Sequence, residues 1–268
     1  MVKLRAGVIG VGHLGQHHAR LYASSPDSML VGVVDHDHGR ASVIAEQYGG
    51  RVFGDLQDLL KQVDVVTIAV PTSGHYPLAK TCLQAGKHVL IEKPIAVLPM
   101  EAQELVELGK HNGCTVQVGH SERFNPIMPL MRPYIGETVL FECHRLASYN
   151  ERGVDVDVVL DLMIHDLDLL LSCNPGPIED VRAVGVSVLS STNDVANVRI
   201  QFQGGCVANL TASRSHRRPC DNGILSNPMG VCPSISTRDK VWSAVDRLST
   251  TSSRWLRSKR FTLAMGNR

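Results

Sequence analysis

Three absences narrow what this chain of 268 residues can be. It has no excess of one charge: 27 Lys and Arg stand against 26 Asp and Glu, so the balance calls for neither a nucleic-acid nor a membrane partner. It has no run of about 20 apolar residues to cross a bilayer. The opening Met1-Val-Lys-Leu-Arg5 passes straight into a short strand pattern with no apolar core long enough for a signal peptide, and a cytoplasmic protein is expected. It also lacks any CxxC pair or zinc-type spacing among seven scattered cysteines. Their odd number argues against a complete disulfide set, and they read as reduced thiols, mostly in the core. His36 and His38 flank Asp37 as a His-x-His pair without a third ligand, so no metal is expected.

What is present begins with punctuation. Residues 4–9 read as a strand, Gly10-x-Gly12-x-x-Gly15 follows, and residues 14–23 carry a helical pattern. A strand, a tight glycine turn and a helix in that order are the context a dinucleotide site needs. Gly10 permits the turn, Gly12 lets the backbone approach a pyrophosphate, and Gly15 lets the helix pack on the strand. His13 and Leu14 fall inside this turn, and the helix start offers amide donors and the positive end of a dipole. A second apolar run, residues 29–34, ends at Asp35, where a carboxylate accepts from both ribose hydroxyls and repels a 2′-phosphate. NAD is therefore favoured over NADP, although Arg40 in the next turn is within reach of a phosphate.

Strand patterns at 63–70, 88–91 and 115–118 alternate with helical stretches near 41–48, 55–61, 76–85 and 99–112, which predicts a doubly wound parallel sheet of the Rossmann type over residues 1–120. From 121 to 213 the rhythm changes to α+β. A helical stretch is expected near 126–134, a strand near 137–147, an apolar helix at 156–172, and antiparallel strands near 180–189, 195–202 and 205–213.

Two features carry chemistry. Lys93, in Glu92-Lys93-Pro94, ends the apolar run 88–91 at the edge where ligands bind in open α/β sheets. In the apolar helix, Asp161 and His165 lie four residues apart and share a face. A buried helix must partner its ionisable groups, so the pair is either a satisfied core contact or an acid/base histidine whose imidazole an aspartate orients. With Lys93 at that ligand-binding edge the second reading is preferred. Removing hydride from a secondary alcohol requires a base on the hydroxyl, which suits histidine, while a lysine cation steadies the developing alkoxide.

The glycine turn, Pro71-Thr72-x-x-His75, Glu92-Lys93-Pro94 and Asp161-x-x-x-His165 together resemble the Gfo/Idh/MocA family of oxidoreductases, from residue 4 to about 213. The resemblance implies an N-terminal Rossmann domain and a C-terminal domain built on an open, mainly antiparallel sheet that commonly forms homo-oligomer contacts. It implies a catalytic set of Lys93, Asp161 and His165, and it brings Pro71, Thr72, His75 and Glu92 to the cofactor. Within the family, Val118-Gly-His-Ser-Glu-Arg-Phe-Asn-Pro126 and residues 155–165 look most like the branch that oxidises the 3-hydroxyl of UDP-N-acetylglucosamine, which feeds aminosugar and lipid A synthesis. On that reading Arg123, Arg145 and Arg152 meet a diphosphate, and Asn125 and Tyr149 contact sugar or uracil.

Residues 214–268 do not follow the pattern. They carry 11 Lys and Arg against 3 Asp, whereas residues 1–213 carry 16 against 23 Asp and Glu. The stretch is rich in Ser and Thr and lacks sustained periodicity. It reads as a basic arm for an acidic partner, as a poorly ordered terminus, or as a frameshifted end that leaves the second domain incomplete and its sheet edge unfinished. The rival to an enzyme is a nucleotide-binding protein that kept the fold and lost turnover through this tail.

Overall fold

We describe a computed structural model that defines residues 2–125, 128–129, 140–149 and 156–216, together with the backbone of four further strands between 220 and 262. The chain divides after His120 into two compact units, Met1–His120 and Ser121–Arg268.

In the first unit strands and helices alternate: β1 (Leu4–Ile9), α1 (Gly15–Ser24), β2 (Ser28–Val34), α2 (His38–Tyr48), β3 (Arg51–Val52), α3 (Leu56–Leu60), β4 (Val65–Ile68), α4 (His75–Gln84), β5 (His88–Ile91), α5 (Pro99–His111) and β6 (Val116–Val118). The sheet order is β3-β2-β1-β4-β5-β6, with every neighbouring pair parallel. Parallel strands are covered on both faces, which is why β1, β4 and β5 read as continuous apolar runs. Ile9, Val66, Ile68, Val89 and Ile91 are all buried there. The chain winds outward from β1 to β3, then crosses to β4 on the other side of β1. That reversal opens a crevice beyond the carboxyl ends of β1 and β4, where the glycine turn lies.

Local signals set the helix ends. The Asp37 and Asp55 side chains accept the Arg40 and Gln57 amides at the starts of α2 and α3, and Gly49 ends α2 in the left-handed region at φ 76°. The doubly wound sheet was expected, but β3, two residues long, carries too little pattern to read from sequence.

The second unit is built on an eight-stranded sheet ordered β14-β13-β12-β11-β7-β10-β9-β8. Its strands are β7 (Leu140–Leu146), β8 (Ile178–Val186), β9 (Val195–Phe202), β10 (Val207–Ser213), β11 (Cys220–Ser226), β12 (Cys232–Ser236), β13 (Val241–Val245) and β14 (Lys259–Thr262). β7 and β10 run parallel; the other neighbours are antiparallel. Residues alternate along β9, where Ala196, Val198, Ile200 and Phe202 are buried with Ala208, Leu210 and Ala212 of β10 and Phe141 and Cys143 of β7. A helix covers this face and adds Met163 and Leu170 to the same core. The opposite face is mixed: Asn197 donates to Thr211, Arg199 to Asn209 and Gln201 to Glu179, beside the exposed Val184 and Val186 of β8.

Three expectations need correction or placement. The helix expected over 156–172 opens as a π-helical turn, Val159–Met163, and continues as α6 (Ile164–Ser172). The helical stretch expected near 126–134 falls almost wholly outside the described residues. Arg214, the first residue of the basic stretch, is only 2% exposed. Its Nε donates to Asp194 Oδ1 at 3.0 Å, and its Nη2 donates to the Val156 and Asn193 carbonyls and to Thr192. Asp194 in turn accepts the amides of Val188, Leu189 and Ser190. The loop after β8 is thus tied to the end of β10, and beyond it β11 pairs with β7 from Cys220 opposite Leu146 to Ser226 opposite Leu140.

Candidate active site

The glycine turn has the geometry that its residues require. Gly10 sits at φ +81°, and its amide donates to Val34 O at 2.8 Å, pinning the end of β1 to the end of β2. A Cβ on Gly15 would stand 1.8 Å from the Gly10 carbonyl oxygen, so only glycine lets α1 begin this close to the strand. His13 and Leu14 are exposed on the turn. Asp35 locks the arrangement from the other side. Its Oδ2 accepts the Val11 amide at 2.7 Å and its Oδ1 accepts the Asp37 amide at 2.9 Å. The Asp35 side chain is only 3% exposed, so these contacts serve first to shape the loop.

Across the switch point the Glu92-Lys93-Pro94 segment is held by two histidines from different helices. His18 of α1 places Nε2 2.7 Å from Glu92 Oε1, with both side chains less than a fifth exposed. The other Glu92 oxygen accepts the Lys93 amide at 3.3 Å. It also lies 3.0 Å from where a Cβ on Gly119 would stand, so the carboxylate packs on bare backbone after β6. Burial pushes the Glu92 carboxyl up, but His18, the Lys93 amide and the Lys93 ammonium outweigh it and hold the group below its usual value.

On the far side His75, 1% exposed at the start of α4, has Nδ1 2.7 Å from Pro94 O and Nε2 2.9 Å from Val70 O. A carbonyl only accepts, so whichever ring nitrogen carries the proton ties His75 to one of these two strand-end peptides. The Lys93–Pro94 peptide between the two histidines is cis. Thr72 is buried at the start of the 3-10 turn Thr72–Gly74, and Pro71 before it is exposed.

In the second unit Asp161 lies in the π-helical turn and His165 in the first turn of α6, both half-buried. π-Helical turns inside α-helices are frequent at functional sites. α6 also carries two carboxylates that sequence reading passed over. Asp166, 1% exposed, accepts Arg145 Nη2 at 2.6 Å and Nε at 3.1 Å. Asp168 takes a two-pronged contact from Arg123, at 2.7 and 2.6 Å. Two of the three arginines expected at a diphosphate therefore each grip a carboxylate of α6. Asn125 donates to Glu122, Tyr149 is exposed, and Arg152 lies outside the described residues. The signal that was available is the pair of aspartates in an apolar helix, since buried carboxylates need cations. Among the described residues no group of three or more His, Cys, Asp or Glu side chains is arranged to hold a metal ion.

A parallel sheet reversing at β1, a glycine turn clasped by an aspartate and a lysine at the end of β5 define an NAD-binding oxidoreductase. Comparison with known proteins supplies the family. The description "Oxidoreductase family, NAD-binding Rossmann fold" matches residues 4–120, and "GFO/IDH/MocA C-terminal domain" matches residues 134–225. The chain belongs to the GFO/IDH/MocA oxidoreductases. The second match passes residue 213, where the resemblance was expected to end, and takes in β11.

A UDP-N-acetylglucosamine 3-dehydrogenase of Acidithiobacillus ferrooxidans is 41% identical over 220 residues, covering 82% of this chain and 70% of that protein. A solved structure of that organism's enzyme superposes with a TM-score of 0.89 at 36% identity, covering 100% of this chain and 85% of the other. An inositol 2-dehydrogenase of Rubrobacter xylanophilus is 36% identical over 196 residues, covering 69% of this chain and 56% of the relative, little more than half its length. No helix among the described residues is long and apolar enough to cross a membrane.

Proposed function

We propose that the chain oxidises the 3-hydroxyl of UDP-N-acetylglucosamine to the 3-keto sugar, with NAD as hydride acceptor. The observation that carries this reading is the 41% identity to a UDP-N-acetylglucosamine 3-dehydrogenase across 82% of the chain. The residues present suit the cofactor: the Gly10–Gly15 turn offers backbone amides to a pyrophosphate and Asp35 offers acceptors to a ribose. NAD supplies the electrophilic ring carbon that receives the hydride. His165 takes the hydroxyl proton, Asp161 orients its imidazole, and Lys93 steadies the oxygen as charge develops on it. Atoms balance as secondary alcohol plus oxidised nicotinamide giving ketone, reduced nicotinamide and one proton.

The hold of His18 on Glu92, with His75 packed between the ends of β4 and β5, supports the role of Lys93, because positioning a charged group before reaction is where much of catalysis originates. Arg123, Arg145 and Arg152 meet the diphosphate on this reading, the first two held by the carboxylates of α6, and Asn125 and Tyr149 contact sugar or uracil. A 3-keto sugar suits later amination, as in lipid A precursors. We further propose a cytoplasmic homo-oligomer that uses the open face of the second sheet, where Val184 and Val186 are exposed.

The test is incubation of the purified chain with NAD and a panel of UDP-sugars and inositols, reading products by mass for the loss of two hydrogens. Oxidation of UDP-N-acetylglucosamine supports the reading. Preference for an inositol would instead favour the function named for the Rubrobacter relative, and NADH binding without oxidation of any panel member would leave a nucleotide-binding protein.

A further inference from the structure

Beside Asp35 the structure holds a second acid with a different partner. Asp37 ends the turn after β2 and its two carboxylate oxygens divide their work. Oδ1 accepts the Arg40 amide at 3.0 Å, capping α2, and Oδ2 accepts Arg40 Nη2 at 3.0 Å. The Asp37 amide donates to Asp35 Oδ1, so the position of the second acid is set by the first. Arg40 Nη1 lies 3.4 Å from where a Cβ on Gly12 would stand, so the guanidinium reaches over the glycine turn itself. His36 adds an Nδ1 contact to Asp35 Oδ1 at 3.1 Å. An arginine near the ribose-binding acid is the group that a dinucleotide fold uses to accept a 2′-phosphate, and Arg40 in the first turn of α2 is so placed. Here it is already committed to a carboxylate.

We propose that Asp37 acts as a latch on Arg40 and, with Asp35, sets the preference for NAD over NADP. This rests on the reading that the adenosine ribose sits at Asp35. Asp35 answers for the ribose hydroxyls, whereas Asp37 answers for the cation that would otherwise greet a phosphate. The Arg40 amide and then its guanidinium hold the Asp37 carboxyl below its usual range, which keeps it charged at neutral pH. The pair is exposed and close to the surface, so its contribution to fold stability is small. Its consequence is felt by a ligand carrying charge to the same spot.

The test uses Asp37→Asn, which keeps an oxygen for the helix cap but removes the negative charge, with Asp37→Ser as a second capping variant. Dissociation constants of NADH and NADPH are read by nucleotide fluorescence on the full chain without substrate, and thermal melts confirm folding. The NADPH-to-NADH ratio of dissociation constants falls roughly ten-fold in both variants, because a guanidinium released from its carboxylate pairs two-pronged with phosphate. Adding Arg40→Ala to Asp37→Asn abolishes the gain. An unchanged ratio in folded single variants overturns the latch, and so does a gain that survives loss of Arg40. Failure of the parent chain to bind NADH is a distinct outcome, which brings down the reading of the site and the latch with it.

Discussion

His18→Ala is the perturbation whose consequences the structure specifies most fully. The substitution removes a 2.7 Å contact to a carboxylate that is 12% exposed, and it leaves that carboxylate in place among buried groups. A hydrogen bond to a charged group contributes about 1.5–3 kcal/mol. Each kcal/mol moves the melting midpoint of a chain this size by about 2–4 °C, so a loss of about 2 kcal/mol lowers it by about 4–8 °C at pH 7.

The pH dependence follows from Glu92. Its carboxyl is held below its usual value in the folded chain, so its contribution to stability is present above the unfolded value of about 4.3 and is lost as pH falls through the lower folded value. Without His18, only the Lys93 amide and ammonium are left to oppose burial, so the charged form is less favourable near neutrality than in the parent. The gap between variant and parent is therefore widest at pH 7 and narrows as pH falls, first as the variant's carboxyl takes up its proton and then as the parent's does below its lowered folded value. His18→Gln, with an amide that still donates, recovers about half of the loss by the same hydrogen-bond scale. In turnover, kcat falls by roughly ten- to a hundred-fold while the dissociation constant of NADH changes little, since the residue acts on the seat of Lys93. Differential scanning fluorimetry across pH with steady-state kinetics reads all of this. Equal melting points and equal kcat for parent, Ala and Gln chains would refute the reasoning.

Other outcomes follow from the same geometry. Arg145→Ala strands the Asp166 carboxylate, 1% exposed on α6, and costs about 3–5 kcal/mol in denaturant unfolding, whereas replacing both partners by apolar residues costs far less. Gly15→Ala puts a methyl 1.8 Å from the Gly10 carbonyl oxygen and abolishes NADH binding in a fluorescence titration, with the far-ultraviolet spectrum of the folded chain retained. Phe202→Ala empties the centre of the second unit's core and lowers stability by about 3–5 kcal/mol in the same denaturant assay.

What could be read from the sequence was what short-range backbone demands write into it. The glycine turn, Asp35 at the end of β2 and the run 88–91 before Lys93 each declare their geometry within a few residues, and the Rossmann sheet follows from their order. Partners distant along the chain left no such mark. His18 meets Glu92 across 74 residues, and nothing in the residues around it on α1 names that partner. Arg145 and Arg123 read as cations available for phosphate because the carboxylates that take them lie on α6, 21 and 45 residues away. The π-helical turn at Val159–Met163 preserves the apolar face, so its change of hydrogen-bond step is silent in the pattern. β11, written Cys-Asp-Asn-Gly-Ile-Leu-Ser, lacks the alternation that made β9 visible and takes its place by pairing along β7.

The most direct measurement follows the hydrogen itself. UDP-N-acetylglucosamine carrying deuterium on carbon 3 is mixed with NAD and the full chain, and the reduced nicotinamide is weighed by mass spectrometry. The account predicts NADH heavier by one deuterium in the parent chain and no reduced cofactor from Lys93→Ala or His165→Ala chains that still bind NADH. Unlabelled NADH, or equal yields from the parent and both variants, would contradict it.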